Sequence, residues 1–467
     1  MTNRLADIQP SPDGFSFCVE TLIIGAGACG LVAALAADQD GQDVLVLERD
    51  AQPAGSTALS AGLIPAAGTK MQLAAGIDDC PTMFAADIQA KAHHENDPAL
   101  VTLLATHAGA TIDWLTQDFD MPFSVVTDFD YPGHSRRRMH GLPSRAGREL
   151  VDTLRTKCEE RQIDIMCNAT VTTLFVHDDN ITGVAFTRPD GTIEQIGCGR
   201  LILACNGYGG NRAKVREFMP QIENALWFGH DGNKGEALDW AAAIGAQTHH
   251  LGAYQGHGNV AHPHGVLITW AVITQGGVQV NKLSDRFWDE SQGYSEAARA
   301  VMAQPDGLAY AIFDSRIADI ARQFEDFRQA EAQGAIKTAD TLAELAGKLG
   351  LPTTLEATVS ALPQDGTDTF GRSFSVPPLT APYCGVQVTG ALFHTQGGLV
   401  VNDQARAVKF DNQPFANLFA AGGAACGVSG SYDTGYLSGN GLLSAVVLGR
   451  IAGRGHPLTR YKETTDA

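Results

Sequence analysis

The stretch "TLIIGAGACGLVAALAADQDGQDVLVLE", residues 21–48, constrains the fold more than any other part of the chain. An apolar run of strand type ends at Gly25. A helix of small residues follows Gly30, and a second apolar run closes on Glu48. Gly25, Gly27 and Gly30 make a GxGxxG between strand and helix. Gly25 permits a tight turn, Gly27 lets a pyrophosphate approach the backbone, and Gly30 lets the helix pack on the strand. The helix N-terminus favours phosphate, and an acid roughly twenty residues on holds a ribose hydroxyl. Strand, glycines, helix, strand and acid together predict a dinucleotide site.

The rest of the composition removes other classes. At net charge −19 the chain carries no electrostatic footprint for nucleic acid. Its 44% hydrophobic and 18% charged residues are those of an ordinary globular protein with a sizeable core. The nine cysteines form no CxxC, and several sit in apolar runs such as "LILAC". They read as buried thiols, with no metal site expected. His262 and His264 in "AHPHG" have no acids nearby and read as a loop. No run of about 18 apolar residues exists, so no membrane span is expected. The opening "MTNRLADIQPSPDG" is polar and lacks a signal-peptide core. With the free thiols, this points to a cytoplasmic location.

Three further segments name the nucleotide. "AQPAGSTALSAG" (51–62), "RLILACNGYGGN" (200–211) and "FANLFAAGGAACG" (415–427) resemble the flavin-contacting segments of the fumarate reductase and succinate dehydrogenase flavoprotein family. "NDPALVTLLATHAGATIDWL" (96–115), read as a helix pair, and "NKGEALDWAAAIGA" (233–246) are similar to other segments of that family. The resemblance covers nearly the whole chain. It implies an α/β fold: a Rossmann-like FAD-binding domain of the GR2 type with an inserted α+β capping domain. The flavin domain is expected over 15–251 and 394–467, and the cap over 252–393. FAD is expected to be held non-covalently, since "AGSTALSAG" has no histidine. The implied FAD contacts in the first segments are Gly25, Gly27, Ala28, Cys29, Gly30, Glu48, Arg49, Gly55, Ser56, Thr57, Ser60, Ala61 and Gly62. Further along they are Val171, Ala204, Asn206, Gly207, Gly422, Gly439, Asn440, Leu442 and Leu443. The family's usual ribityl-contacting acid is replaced by Gly423.

The resemblance also implies a substrate pocket of His257, Thr269 and His394, positions where the family keeps these residue types. Its charged positions are changed. A glutamate becomes Trp270, and arginines become Ile273, Tyr294 and Tyr436. A pocket so altered suits an apolar molecule with one polar handle rather than a dicarboxylate. "Tyr436-Leu437-Ser438-Gly439-Asn440-Gly441" is similar to the Tyr-x-Ser-x-x-Gly of the Δ4-type 3-ketosteroid dehydrogenases. On that likeness Tyr436 and the Gly441 N–H grip a ketone oxygen. Tyr294, helped by Ser438, takes the adjacent proton, and hydride goes to the flavin N5.

The expected activity is therefore desaturation of a ring ketone next to its carbonyl, with a 3-oxosteroid first. A smaller ring such as cyclohexanone or 4-oxocyclohexanecarboxylate stays open, and Arg136, Arg137 or Arg138 of "SRRRMHG" would meet the acid. The reverse chemistry, reduction of an activated enone or enoate, also stays open, as does a flavoprotein that binds without turnover. The electron acceptor is unidentified; a quinone, a dye or oxygen would serve.

Overall fold

A computed structural model describes residues 7–127 and 131–455. The chain divides into two compact units. One takes residues up to 214, then 229–254 and 394 onward; the other takes 215–228 and 255–393. The end of the expected flavin domain, 456–467, lies outside the described residues. The segment 215–228, expected in the flavin domain, clusters with the second unit.

The first unit is built on a nine-stranded sheet. Its centre is β1 (Cys18–Ile24), flanked by β2 (Val44–Leu47) and then β3 (Asp164–Met166), all parallel. On the other side lies β4 (Ile193–Leu203), also parallel to β1, with Leu203 opposite Ile24. β4 serves two ladders. Its first half pairs antiparallel with the strand Asn180–Thr187, while Leu201–Leu203 pairs parallel with β5 (Pro414–Ala420). The run "LII" in β1 is buried on both faces, as a central parallel strand must be.

α1 (Ala28–Gln39) is apolar all round and buried along nearly its whole length. It packs on α3 (Asn440–Arg454) with backbone nearly touching backbone. A Cβ on Gly449 would lie 2.6 Å from the Cys29 carbonyl oxygen, and one on Gly453 would lie 2.3 Å from that of Ala33. Between them in sequence is α2 (Pro98–Asp118), capped by Asp97 with Pro98 at its first position. The segment read as a helix pair is this single helix. Its mid-helix Gly109 marks a close approach instead of a break, since a Cβ there would sit 2.3 Å from the Ala67 carbonyl oxygen.

The second unit holds a seven-stranded sheet whose long strand, Tyr383–Thr395, runs antiparallel to Leu308–Asp314. "SRIADIARQFEDFRQAEAQ" forms two helices, Ser315–Ala321 and Glu325–Ala332. Phe324 leaves helical geometry between them and packs on the unit's main apolar core.

Candidate active site

In the first unit the site is shaped by missing side chains. Gly25 has φ +105°, and a Cβ there would meet the Ala204 carbonyl oxygen at 2.5 Å. A Cβ on Gly30 would lie 1.8 Å from the Gly25 carbonyl oxygen. Gly27, by contrast, faces open space, its nearest neighbour being Thr57 Oγ1 at 3.4 Å. Gly27 caps α1 without a side-chain hydrogen bond. That leaves a groove floored by backbone, at the end of a helix whose N–H groups and dipole favour phosphate. Ala28 N donates to Thr57 Oγ1 at 3.1 Å. Glu48 accepts from Ala26 N (2.7 Å) and Asp50 N (3.0 Å), and each oxygen keeps a lone pair for a hydroxyl. Arg49 is tied to Glu236 at 2.8 Å. Burial pushes the Cys29 thiol up, so it stays protonated and inert.

Around the 55–62 turn, Gly55 and Gly62 have positive φ. Ser56 Oγ accepts from Asn206 Nδ2 (3.0 Å) and from Asn233 Nδ2 (2.8 Å). Ser60 Oγ bonds the Thr57 carbonyl and accepts from Gly62 N, and Ala61 is exposed. Val171 is buried in the strand Thr170–His177 and Ala204 is buried just after β4, while Gly422 has φ +59° beside Cys29. Gly207 is as tightly placed as Gly30, a Cβ there lying 1.9 Å from Thr395 Oγ1. Asn206 sits at φ +65°. Its Oδ1 fills the space over Gly423, where a Cβ would be only 2.1 Å away. Asn206 thus occupies the space a residue-423 side chain would need.

The start of α3 is organised around Tyr436. Gly439 caps the helix at φ +87°, and a Cβ there would strike Pro65 Cδ at 2.5 Å. The Tyr436 phenol oxygen accepts from the N–H groups of Gly439 and Gly441. The Gly441 N–H, expected to reach for substrate, is one of these two donors. Burial outweighs those two bonds and pushes the phenol up, so Tyr436 is a donor at neutral pH. Ser438 is buried, and its carbonyl accepts from His134 Nε2 at 2.9 Å. Leu443 is fully buried and Leu442 half-buried.

Behind α3 runs a polar relay. Asn440 Nδ2 donates to Ser429 Oγ (3.2 Å), Ser429 Oγ to Gln396 Oε1 (3.1 Å), and Gln396 Nε2 to His394 Nδ1 (2.8 Å). Since Nδ1 of His394 accepts, its proton is on Nε2. Burial lowers its pKa to about 4, so the ring is a neutral donor. Asn440 Oδ1 and Ser444 Oγ are buried with no partner. Such orphans, with the glycine-floored groove, suit a polar flat ligand here.

In the second unit the expected pocket residues form a stack of rings. His257 lies between Tyr294 (centroids 5.0 Å, planes 17° apart) and Phe393 (5.5 Å, 26°). Phe228 stacks on Phe393 at 4.7 Å. Trp270 meets His257 edge-on at 5.7 Å and tilts against Trp288. His257 Nδ1 accepts from Asn259 N at 3.2 Å, which leaves the proton on Nε2, and burial lowers its pKa to about 3. Tyr294 is half-buried and opens the helix Tyr294–Met302. Thr269 Oγ1 accepts from Ala271 N, and Ile273 is buried. The Ile273 carbonyl accepts from Arg372, whose guanidinium also meets Glu290 at 3.1 Å. Arg286 is paired with Glu290 and Asp368. These guanidiniums are committed to protein acids.

The "SRRR" cluster is largely structural. Arg138 is buried between Asp79 (2.8 Å) and Asp87 and so does not serve a substrate acid. Arg136 is exposed on the carbonyls of Asp78 and Ser135. His262 and His264 sit in an exposed turn. Among the described residues no cluster of His, Cys, Asp or Glu could hold a metal, and no helix is long and apolar enough to cross a membrane. Sequence reasoning missed Gln396, Ser429, His134, Asn233, Phe228 and Phe393. Gln396 follows His394 by two residues, just past the end of the strand Tyr383–Thr395.

This groove, with its glycines, helix end and acid, is a flavin-nucleotide site. Residues 20–442 match the FAD binding domain family, and the chain belongs to that family, within the fumarate reductase and succinate dehydrogenase flavoproteins. It is 32% identical over 94% of its length, and 75% of the relative's, to the probable fumarate reductase Ifc3 of Shewanella frigidimarina. A flavocytochrome c3 fumarate reductase structure superposes with TM-score 0.80 at 30% identity, covering 94% of this chain and 78% of that one. The 3-ketosteroid-Δ4-(5α)-dehydrogenase of Rhodococcus jostii RHA1 shares the fold, with TM-score 0.77, 22% identity, and coverage of 96% and 99%. The protein binds FAD and is an oxidoreductase acting on carbon–carbon single or double bonds.

Proposed function

We propose that this flavoenzyme desaturates a ring ketone next to its carbonyl, a 3-oxosteroid being the substrate class. The observation that carries the reading is the Tyr436 phenol, buried at the start of α3 with two backbone N–H groups on its oxygen. Those bonds polarise the O–H and strengthen it as a donor. Tyr436 O–H donates to the ketone oxygen, so negative charge developing there is stabilised as the neighbouring C–H is lost. Tyr294 takes that proton. It is carried on the first residue of a helix, the end where the dipole favours a phenolate. When bound, FAD supplies the two-electron sink that accepts a hydride. His257 and His394 act as neutral Nε2–H donors. The aromatic stack offers flat apolar faces, and the committed guanidiniums around it supply no free partner for a carboxylate. The acceptor that reoxidises the enzyme is a small molecule or redox partner of unassigned identity.

A second reading is reduction of an activated alkene, favoured by the 32% identity to a relative called a probable fumarate reductase. One experiment separates the two. The oxidised protein is mixed anaerobically with a 5α-3-oxosteroid, cyclohexanone, 4-oxocyclohexanecarboxylate and succinate, and the dithionite-reduced protein with a 4-ene-3-oxosteroid and fumarate. Bleaching of the yellow flavin by a ketone, lost in Tyr436→Phe, supports the proposal, and the responding ketone sets the ring size. Reaction with succinate and fumarate alone overturns it in favour of the second reading.

A further inference from the structure

At the far end of α3 from Tyr436, the first unit contains a cavity of about 520 Å³. It lies between α2, the turn at 403–406, Phe419 of β5 and the last turn of α3. Its charged lining is Arg406, Arg450, Arg454 and Asp403. The 15 residues of α3 separate it from the start of that helix by roughly 22 Å, so it is not part of the flavin groove.

We infer that this cavity is a binding site for a small polyanion of the phosphoryl class, such as a pyrophosphate or a nucleotide phosphate chain. The protein as a whole is strongly acidic; its buried Arg200 is satisfied by backbone carbonyls and Thr21, and three other buried arginines are matched to acids: Arg138 to Asp79, Arg286 and Arg372 to Glu290. The cavity arginines are not. Among the described residues, Arg406, Arg450 and Arg454 form no ion pair with any acid. Arg450 donates to the Ala110 carbonyl at 2.8 Å and lies over the Trp114 ring at 4.5 Å. Its Nε is buried with no acceptor. Arg406 lies over the Phe419 ring at 5.6 Å, and its Nε is buried with no acceptor as well. A third guanidinium, Arg200, lies over the same ring at 5.4 Å, bound to backbone carbonyls and Thr21.

Clustering uncompensated guanidiniums costs free energy through repulsion and desolvation, and the strain is visible. Burial and the neighbouring Arg454 lower the Arg450 pKa to about 10, against a smaller upward pull from Asp118. Two buried Nε–H groups without acceptors add to that cost. A ligand that brings several negative oxygens to the accessible ends of these guanidiniums relieves their mutual repulsion. Planar guanidinium forks match phosphoryl oxygens in pairs, and a volume of 520 Å³ is ample for a nucleotide-sized ligand. Asp403, exposed at the rim, opposes such a ligand and limits its affinity.

The test uses the full-length flavoprotein with inorganic pyrophosphate as probe, by calorimetric titration at constant ionic strength, with flavin absorbance followed to show that FAD stays bound. Saturable binding below millimolar is expected. Arg406→Gln and Arg450→Gln are each expected to weaken it at least tenfold. Since Arg450 also packs on Trp114, two exposed positions guard against a folding artefact: Arg454→Gln weakens binding, and Asp403→Asn tightens it several-fold. Absence of saturable binding, or binding unchanged in all four variants, overturns the proposal.

Discussion

The candidate binding surfaces of the two units are built in opposite ways. In the first, the groove is made of backbone, and it exists because Gly25, Gly27, Gly30, Gly207 and Gly423 carry no side chain. In the second, the candidate surface is made entirely of side chains, the stack Tyr294–His257–Phe393–Phe228 with Trp270 on its edge. A backbone site tolerates almost no change but leaves a spacing in the sequence. A side-chain site can be rebuilt residue by residue, and its specificity changes when rings replace charges.

The sharpest way to break the contrast is at the glycines. Gly30→Ala forces a Cβ to 1.8 Å from a backbone oxygen, so no soluble yellow protein is expected. Gly27→Ala meets only open space, so the protein should fold, with FAD affinity down roughly tenfold, about 1.4 kcal/mol. The ratio of flavin absorbance to protein absorbance reads both. Equal behaviour of the two variants would erase the distinction between packing and ligand glycines.

Next in size is Tyr436→Phe. Removing the phenol oxygen strips two N–H groups of their acceptor and removes the ketone donor. Turnover of a responsive ketone should fall by roughly 10²–10³, the loss typical of an oxyanion donor, with flavin content unchanged. A loss under threefold would remove Tyr436 from the chemistry.

Gly423→Ala should be destabilising by about 1–3 kcal/mol, because Asn206 Oδ1 occupies the place of its Cβ. Asn206→Gly, compatible with φ +65°, should recover much of that loss in the double variant. Thermal melts of the four proteins measure the coupling, and strict additivity would mean the two positions are independent.

The smallest effect tests the stack. His257 is held neutral, its pKa lowered by burial to about 3 from an ordinary 6.5. The unfolded chain binds its proton first, so this histidine's contribution to stability is complete above pH 6.5 and is lost as pH falls towards 3. His134, His140 and His394, each lowered to about 4, act in the same direction. Melting temperature should therefore decline from pH 6.5 to 4, and more gently in His257→Phe than in the parent. An identical slope would show that the ring protonates freely in the fold.

What could be read in the sequence follows the same divide. The parallel sheet and the flavin groove were legible from "GAGACG", because glycine spacing reports backbone geometry directly. The hairpin turn at Pro189-Asp190-Gly191 is of the same kind, with Gly191 at φ +87° between the strands Asn180–Thr187 and Ile193–Leu203. The second unit was read as an α+β insertion over 252–393 with its pocket residues named, but not the arrangement of its rings, since ring stacking leaves no spacing rule. The segment 96–115, read as a helix pair, is one helix, whose mid-helix Gly109 allows close packing against the Ala67 carbonyl. Gly423 read as a departure from a family pattern, and Asn206 as a flavin contact. The 2.1 Å between Asn206 Oδ1 and a Cβ built on Gly423 shows that the two positions share one space.

The last helix also has a bearing on how the protein comes into being. Arg200 and Gln42 bind the carbonyls at the end of α3, and Gly449 and Gly453 lay that helix against α1. The partners are hundreds of residues apart in synthesis. While the ribosome is still making the chain, α1 and β1 are present without the helix that covers them. The nucleotide groove is thus complete only once α3 has been made and laid against α1.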